Sequence, residues 1–503
     1  MISSLELRGI GKVFPQVVAN KNVSFSAKAG DVIGLLGENG AGKTTLMNIL
    51  FGLYQPSYGE IVIDGKVVSF SSPADAIRAG IGMVHQHFML VEAHTVLENL
   101  ILSDASLPFF FPEKVMRKKV EALLDKYGFE LDLDAVVWDL SAGEQQRVEI
   151  VKALLQGSDV LILDEPTSVL TPSEAEELFS ILRSLAKEGH IVILISHKLE
   201  EIMSVCNRVV VLRKGEVVGE SSIEGLDSKA LARMMVGRDV VLSFEREDVP
   251  AGPVILDVKD LVVNGDRGEL AVDGVSFYLE GGRILGIAGV SGNGQKELVE
   301  AITGLRKPVS GKISLKGHDV TGASPRLLHS LGIGHVPEER LRFGTVPNLL
   351  VFENAILKHH HMQPFSDVLF LNYPQIEEHA RSLIDSYSVE TPSVKVRTGN
   401  LSGGNIQKLI LGREMSRNPE LLVASHPTYG LDVGATEYIR KKILQQRARG
   451  SAVLLISEDL DEIFELSDVI AVIYRGKLVA VFDRDDADRN KVGYYMAGLE
   501  VAR

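Results

Sequence analysis

The residues with the clearest chemical potential lie at 37–45, which read Gly-Glu-Asn-Gly-Ala-Gly-Lys-Thr-Thr. They match the pattern G-x-x-x-x-G-K-[ST], in which the backbone N–H groups of a glycine-rich loop surround the phosphates of a nucleotide. Lys43 would add a full positive charge, and Thr44 would offer its hydroxyl to Mg²⁺. The predicted phosphate-binding residues are Gly37, Asn39, Gly40, Gly42, Lys43, Thr44 and Thr45.

The segments on either side of this loop predict the elements that must hold it. Val32 to Leu36 form a short apolar run typical of a buried strand. After the loop, apolar residues recur at helical spacing, at Leu46, Ile49, Leu50 and Leu53. Strand, glycine loop and helix therefore follow in the order that a phosphate site requires.

Composition and charge limit the classes of protein to consider. At 503 residues the chain is too long for one core, so we expect at least two domains. We find no apolar run long enough for a membrane helix and no signal peptide, and Cys206, the one cysteine, excludes an internal disulfide and fits a reducing cytoplasm. The net charge of −14 disfavours a polyanionic partner such as nucleic acid.

The chain contains an internal repeat. The glycine frame of 37–42 returns at Gly289 to Gly294, 252 residues later, and Leu140-Ser-Ala-Gly143 returns as Leu401-Ser-Gly-Gly404, 261 residues later. Such self-similarity indicates two copies of one α/β domain. We place domain 1 at 1–243, a linker at 244–253, where Pro250 and Gly252 lie, and domain 2 at 254–503.

Further polar residues follow apolar strands in the first half. Asp164 and Glu165 end the run 160–163, and carboxylates at the carboxyl end of a parallel strand lie where open α/β sheets bind ligands. Asp164 would hold Mg²⁺ through water, and Glu165 would polarise the attacking water. Gln86 could reach Mg²⁺ or that water, or be a strand-end amide, while His197 could contact the γ-phosphate or be structural. Phe14 could stack on adenine or belong to the core.

These residues, with the glycine-containing helix start at Leu140 to Arg147, resemble the full motif set of the ATP-binding cassette (ABC) family. The resemblance implies two tandem P-loop NTPase domains, each with a mainly parallel core sheet, an antiparallel β subdomain and a helical signature subdomain. It also implies ATP and Mg²⁺ as cofactors and a head-to-tail pairing in which one half's signature completes the other half's site. The signature serving Lys43 would be Ser402, Gly403, Gly404 and Asn405, the last standing where the family usually has glutamine.

The second half keeps the frame but replaces the reactive residues. The replacements are Lys43 by Gln295, Thr44 by Lys296, Gln86 by Glu338, Asp164 by Ser425, Glu165 by His426 and His197 by Glu458. Each lost charge-assisted hydrogen bond is worth roughly 1.5–3 kcal/mol. We therefore predict that the second site holds nucleotide but barely hydrolyses it.

A tandem cassette with one working site resembles the ATPase subunit of bacterial importers for simple sugars and nucleosides. The resemblance implies membrane permease subunits and a solute-binding protein as partners, and a peripheral position on the cytoplasmic face of the membrane. Residues 85–91 and 292–295 are more similar to the nucleoside branch, with monosaccharide import as the alternative. A ribosome-associated or nucleic-acid-associated tandem ATPase is disfavoured because it usually keeps both sites and a long charged linker.

Three other features lie outside these motifs, and two of them have more than one interpretation. Phe88, Met89 and Leu90 could form part of the permease-facing surface or of the core. The run from Lys358 to His361 suggests a metal site, but adjacent histidines do not easily converge on one ion, which favours an exposed loop. Trp138 is predicted to belong to the core.

Overall fold

A computed structural model describes residues 1–15, 17–85, 88–104, 112–128, 130–167, 170, 172–196, 198–237, 246–367 and 370–499. The chain divides into two compact units, Met1–Val240 (unit 1) and Val241–Arg503 (unit 2). Part of the predicted linker, 244–245, lies outside the described residues. Within the described ranges, no helix is both long enough and apolar enough to span a membrane.

Ten strands of unit 1 form two sheets. They are β1 (Ser4–Phe14), β2 (Val17–Lys28), β3 (Val32–Leu36), β4 (Tyr58–Ile63), β5 (Lys66–Val68), β6 (Ile81–Val84), β7 (Val160–Asp164), β8 (Ile191–Ile195), β9 (Arg208–Arg213) and β10 (Glu216–Ser222). One sheet is antiparallel, in the order β2-β1-β4-β5. The other has the order β10-β9-β3-β8-β7-β6 and is parallel except for β10.

The helices of unit 1 lie around these sheets. They are α1 (Lys43–Leu50), α2 (Pro73–Arg78), α3 (Val96–Leu102), α4 (Pro112–Tyr127), α5 (Ala142–Leu155), α6 (Pro172–Lys187), α7 (Leu199–Val205) and α8 (Ser228–Val236). Helices α3, α4 and α5 contact one another, as expected of a helical subdomain.

Unit 2 repeats the strand arrangement. Its strands are β11 (Val254–Asn264), β12 (Leu270–Glu280), β13 (Ile284–Ala288), β14 (Ser310–Leu315), β15 (His318–Asp319), β16 (Ile333–Val336), β17 (Leu421–Ser425), β18 (Ala452–Ser457), β19 (Val469–Tyr474) and β20 (Lys477–Asp483). The sheet orders are β12-β11-β14-β15 and β16-β17-β18-β13-β19-β20. The fold class expected from the sequence is confirmed.

The helices of unit 2 follow the same plan. They are α9 (Gln295–Ile302), α10 (Pro325–Ser330), α11 (Val351–Ala355), α12 (Tyr373–Ser386), α13 (Gly403–Met415), α14 (Val433–Ala448), α15 (Leu460–Leu466) and α16 (Arg489–Met496). A five-residue π-helical turn, Arg340–Gly344, follows β16. It has no counterpart among the described residues of unit 1.

The parallel strands carry the core because both of their faces are covered. All five residues of β3, of β7 and of β8 are buried, and Leu46, Ile49 and Leu50 of α1 pack into the same cluster. Leu53 is exposed, because α1 ends one turn earlier than the spacing predicted. The prediction for Trp138 is wrong: 64% of this residue is exposed.

Candidate nucleotide-binding site

The loop between β3 and α1 depends on glycine for its shape. Gly42 has φ +97°, and a Cβ atom there would lie 2.3 Å from the carbonyl oxygen of Ala19. The buried side-chain amide of Asn20 donates to the carbonyl oxygen of Gly42 at 3.1 Å. Gly40 has φ +82° and open space where a Cβ atom would be. Its neighbour Asn39 is also exposed. The loop is therefore packed against Ala19 and Asn20 on one side and accessible to solvent on the other.

Lys43 begins α1, and its side chain lies along the inside of this loop. Nζ donates to the carbonyl oxygens of Gly37 at 2.7 Å and Glu38 at 3.1 Å, and only 7% of the lysine is exposed. The first N–H groups of an α-helix lack partners within the helix, so the turn containing Thr45 adds backbone donors to this charge. The arrangement suits the phosphate groups of a nucleotide.

Asp164 ends β7 beside the loop and is 7% exposed. The hydroxyl of Thr44 donates to its carboxylate. Burial and the neighbouring charge of Glu165 raise the pKa of Asp164 to about 6, although Lys43 and the Thr44 hydrogen bond oppose this. The hydroxyl and carboxylate oxygens fit Mg²⁺, which usually takes only one or two protein ligands beside phosphate oxygens and water. When bound, Mg²⁺ would neutralise charge on the phosphates.

We expect Asp164→Asn to stabilise the protein when neither nucleotide nor magnesium is added, and to do so more at pH 8 than at pH 5. The folded pKa of Asp164 is raised from 3.8 to about 6, so the folded chain keeps a proton that the unfolded chain releases in this window. The ionised carboxylate then costs up to about 3 kcal/mol above pH 6, and about half of that at pH 5. Urea unfolding at both pH values measures the effect. An equal gain at the two values would contradict the raised pKa.

Glu165 follows Asp164 and has a backbone conformation that is rare for residues with a side chain. Its φ is +48°, and its N–H donates to the carbonyl oxygen of Ile195, at the end of β8, at 2.9 Å. The half-buried Glu165 carboxylate is thus fixed just beyond the strand end that carries Asp164. From there it could accept a proton from a water molecule.

The remaining candidates of unit 1 are less completely defined. Phe14 ends β1, is half-buried and lies outside the buried core. Its ring packs edge-on against Tyr54, with 5.7 Å between the ring centroids. The ammonium group of Lys12 lies 5.3 Å from the centroid of the Phe14 ring. Phe14 is therefore not a core phenylalanine, and contact with adenine stays a prediction. Gln86 and His197 lie outside the described residues.

The corresponding loop of unit 2 is closed by its own glutamine. Gln295 begins α9, and its amide donates to the carbonyl oxygen of Val290 at 2.9 Å while its Oε1 accepts the Asn293 N–H at 3.0 Å. Lys296, in the place of Thr44, pairs with Asp266 at 3.1 Å. A neutral side chain thus occupies the position of the lysine.

The strand end beyond that loop also lacks carboxylates. Ser425 ends β17, and its buried hydroxyl has no hydrogen-bond partner among the described residues. His426 repeats the backbone of Glu165, with φ +44° and an N–H that donates to the carbonyl oxygen of Ile456 at 2.8 Å. Unit 2 keeps the backbone geometry at the end of this strand without the carboxylates of Asp164 and Glu165.

The second signature forms the start of a helix, as the sequence predicted for this motif. Ser402 caps α13: its Oγ accepts the side-chain amide of Asn405 at 3.0 Å. Gly403 and Gly404 are the first two helical residues, and a Cβ atom on Gly404 would lie 3.1 Å from the Cβ of Ala435 in α14. Gly404 therefore allows the first turns of α13 and α14 to pack closely.

The family model for ABC transporters matches residues 20–168 and again 272–429, one match in each unit. The chain belongs to the ABC transporter family. Each unit is therefore an ATP-binding cassette, and the chain is an ABC-type ATPase.

Relatives of the chain match it over nearly its whole length. It is 46% identical to the nucleoside import ATP-binding protein NupA of Lactococcus lactis, over 98% of each chain. It is also 46% identical to the glucose import ATP-binding protein TsgD13 of Haloferax volcanii, over 98% of this chain and 96% of that one. A putative ribose/galactose/methyl galactoside import ATP-binding protein of Pseudomonas syringae is 37% identical, over 99% and 94%.

One solved structure has a similar fold over nearly the whole length of the chain. The archaeal ribosome recycling factor aABCE1, in complex with the ribosomal stalk protein aP1, matches 98% of this chain and 92% of its own with a TM-score of 0.61. The sequence identity is 19%, so the similarity concerns the fold alone.

In each cassette, sequence analysis missed a carboxylate that joins two strand ends, half-buried in unit 1 and buried in unit 2. In unit 1, Glu201 accepts hydrogen bonds from the hydroxyl groups of Thr167 at 2.7 Å and Ser196 at 2.8 Å, which joins the segments after β7 and β8. In unit 2, Glu462 accepts in the same way from Thr428 at 2.6 Å and Ser457 at 2.7 Å. The threonine, the serine and the glutamate all recur 261 positions later in the chain. This repetition is the sequence signal that could have identified the three residues.

Proposed function

We propose that this chain is the ATPase subunit of an importer for nucleosides and that the first cassette performs the hydrolysis. The observation that carries the assignment of hydrolysis is the contrast between the two cassettes. Unit 1 places Lys43, Thr44, Asp164 and Glu165 around one loop, whereas unit 2 has uncharged or basic residues at all four positions.

We assign each residue of the first cassette one role. Gly37, Asn39, Gly40, Gly42, Lys43 and Thr45 would bind the phosphates, Thr44 and Asp164 would hold Mg²⁺, and Glu165 would take the proton of the attacking water. Gln86 would also hold Mg²⁺ and position this water, and His197 would contact the γ-phosphate. Two further roles rest on the family resemblance. Phe14 would stack on the adenine, and Ser402 to Asn405 would form the signature that completes the site for this ATP.

The proposed partners follow from the names of the relatives. An import ATPase works with membrane permease subunits and, through them, with a solute-binding protein. We therefore place the chain at the cytoplasmic face of the membrane. Met89, of the segment after Gln86, is 67% exposed and could contribute to the permease-facing surface.

Monosaccharide import is the second candidate. The glucose import relative is as similar to this chain as the nucleoside import relative is, so identity does not separate the two cargoes. The relative named for ribose, galactose and methyl galactoside import is less similar to this chain. Sequence around 85–91 and 292–295 favours the nucleoside branch.

Uptake by cells that carry this gene distinguishes these cargoes. We expect Glu165→Gln, introduced at the chromosomal locus, to abolish uptake of labelled nucleosides at low micromolar concentration while labelled glucose and ribose enter as before. Loss of sugar uptake instead would favour the second candidate. Unchanged uptake of nucleosides, glucose and ribose would contradict both. His426→Ala, at the matching position of the second cassette, is the control and should leave uptake near the wild-type rate.

A further inference from the structure

Arg340 lies where three segments of unit 2 meet. It begins the π-helical turn that follows Glu338, and its Nη2 donates to the carbonyl oxygen of Tyr429 at 2.6 Å. Its Nη1 lies 3.0 Å from the position that a Cβ atom of Gly403 would take. The guanidinium group therefore lies between the first residue of the signature helix and the turn that leads to Asp432, the cap of α14.

The charge of Arg340 is not balanced by its surroundings. Among the described residues no carboxylate lies within ion-pair distance of it, and Nη1 is buried without an acceptor. Burial lowers the pKa of this guanidinium, and a cation beside a helix N-terminus is also unfavourable because that end is partly positive. A residue that only filled space here would be more stable without a charge.

The signature helix of the first cassette, α5, begins beside carboxylates and not beside an arginine. A Cβ atom on Gly143, the residue that matches Gly404, would lie 2.5 Å from Oε1 of Glu174. The carboxylate of Glu144, at the position of Asn405, accepts the Ser141 N–H at 2.8 Å. Carboxylates stabilise a helix N-terminus, but they also oppose an anionic ligand. In sequence, Phe88 stands where Arg340 stands in unit 2. The two signature helices thus differ in charge as well as in sequence.

We infer that Arg340 is a positioning residue for ATP hydrolysis, which holds the turn before Asp432 against the signature helix and supplies the positive charge that the nucleotide phosphates require there. The inference rests on the proposed role of Ser402 to Asn405 toward ATP, and not on the identity of the cargo. It explains why a partly buried arginine, without an ion pair among the described residues, lies beside Gly403.

Steady-state hydrolysis by the purified full-length chain tests this role. Arg340→Met keeps the length of the side chain and removes the charge; we expect kcat to fall about 10- to 100-fold with KM for ATP within threefold of wild type. Arg340→Lys keeps the charge and should retain kcat within about threefold. Because Arg340→Met removes an unbalanced charge, the thermal unfolding midpoint should be equal or higher. Arg342→Met is the matched control, since Arg342 is exposed and pairs only loosely with Glu339, at 3.5 Å.

Other patterns overturn the inference. If Arg340→Met retains kcat, or if only KM changes, the residue does not position the reaction. If Arg340→Met and Arg340→Lys lose equal activity and both have a lower unfolding midpoint, the role of Arg340 is limited to packing. Gly403→Glu, which places a carboxylate at the first residue of the signature helix, should abolish turnover; if it does not, the signature assignment itself fails. Nucleoside uptake is not read in these assays, so failure of the cargo assignment leaves their result unaffected.

Discussion

Glu165→Gln is expected to lower ATP turnover by about 100- to 10,000-fold while ATP still binds, since this is the usual contribution of a positioned general base. Glutamine has the same shape as glutamate but cannot take a proton. The Lys43 loop and the Asp164 carboxylate are unchanged in this variant, so nucleotide should accumulate on the protein. Phosphate release measures turnover, and nucleotide retained after rapid gel filtration measures binding.

The matching position of the second cassette, His426, provides the control for this variant. His426 has the same left-handed backbone as Glu165 and the same N–H bond to the neighbouring strand end. His426→Ala should therefore keep most of the turnover. Comparable losses from the two variants would show that hydrolysis is not confined to the first cassette.

The shared backbone at these two positions indicates what duplication preserved. A left-handed conformation at a residue with a side chain costs of order 1 kcal/mol or more. Unit 2 retains this cost at His426 although the carboxylate is gone. The turn at this position therefore also stabilises the fold, because its N–H joins the ends of neighbouring parallel strands. This is the physical reason that the second cassette keeps the backbone geometry of the turn after losing the carboxylates of Asp164 and Glu165.

The sequence predicted those parts of the fold and site that depend on local patterns. The apolar runs of β3, β7 and β8 are fully buried strands, and the glycine loop with Lys43 has the expected form. Asp164 is beside Thr44 because β7 and the loop between β3 and α1 both end at the carboxyl edge of the same parallel sheet. Motif spacing and strand order were sufficient for these predictions.

Predictions that depended on distant contacts were less successful. The run at Lys358 is only partly the exposed loop that we expected: Lys358 Nζ is 2.7 Å from the fully buried Glu414 carboxylate, and His359 is 4% exposed. His360 and His361 are exposed. Glu414 lies 56 residues further along the chain, and no local pattern connects it with Lys358. The exposed Trp138 likewise depends on packing that periodicity does not encode.

Lys43→Gln is expected to weaken ATP binding about 10- to 150-fold and to reduce turnover to background. Lysine makes charge-assisted hydrogen bonds, each worth roughly 1.5–3 kcal/mol, whereas glutamine is neutral. In unit 2 Gln295 holds the equivalent loop through Val290 and Asn293, so the variant should fold with an unfolding midpoint close to wild type. The experiment thus separates the charge of Lys43 from its role in shaping the loop. Titration with a fluorescent ATP analogue measures binding, and phosphate release measures turnover.

Gln295→Lys provides the reciprocal comparison. It gives the second loop its missing charge, but Ser425 and His426 still offer no carboxylate for Mg²⁺ or for the attacking water. Turnover should therefore stay at the wild-type level, and combining it with Lys43→Gln should not restore hydrolysis. Recovery in the double variant would mean that charge in the loop is sufficient and that the acidic residues at the end of β7 are dispensable. Because the acidic pair is present in one cassette and absent from the other, this comparison tests the assignment of hydrolysis independently of the cargo.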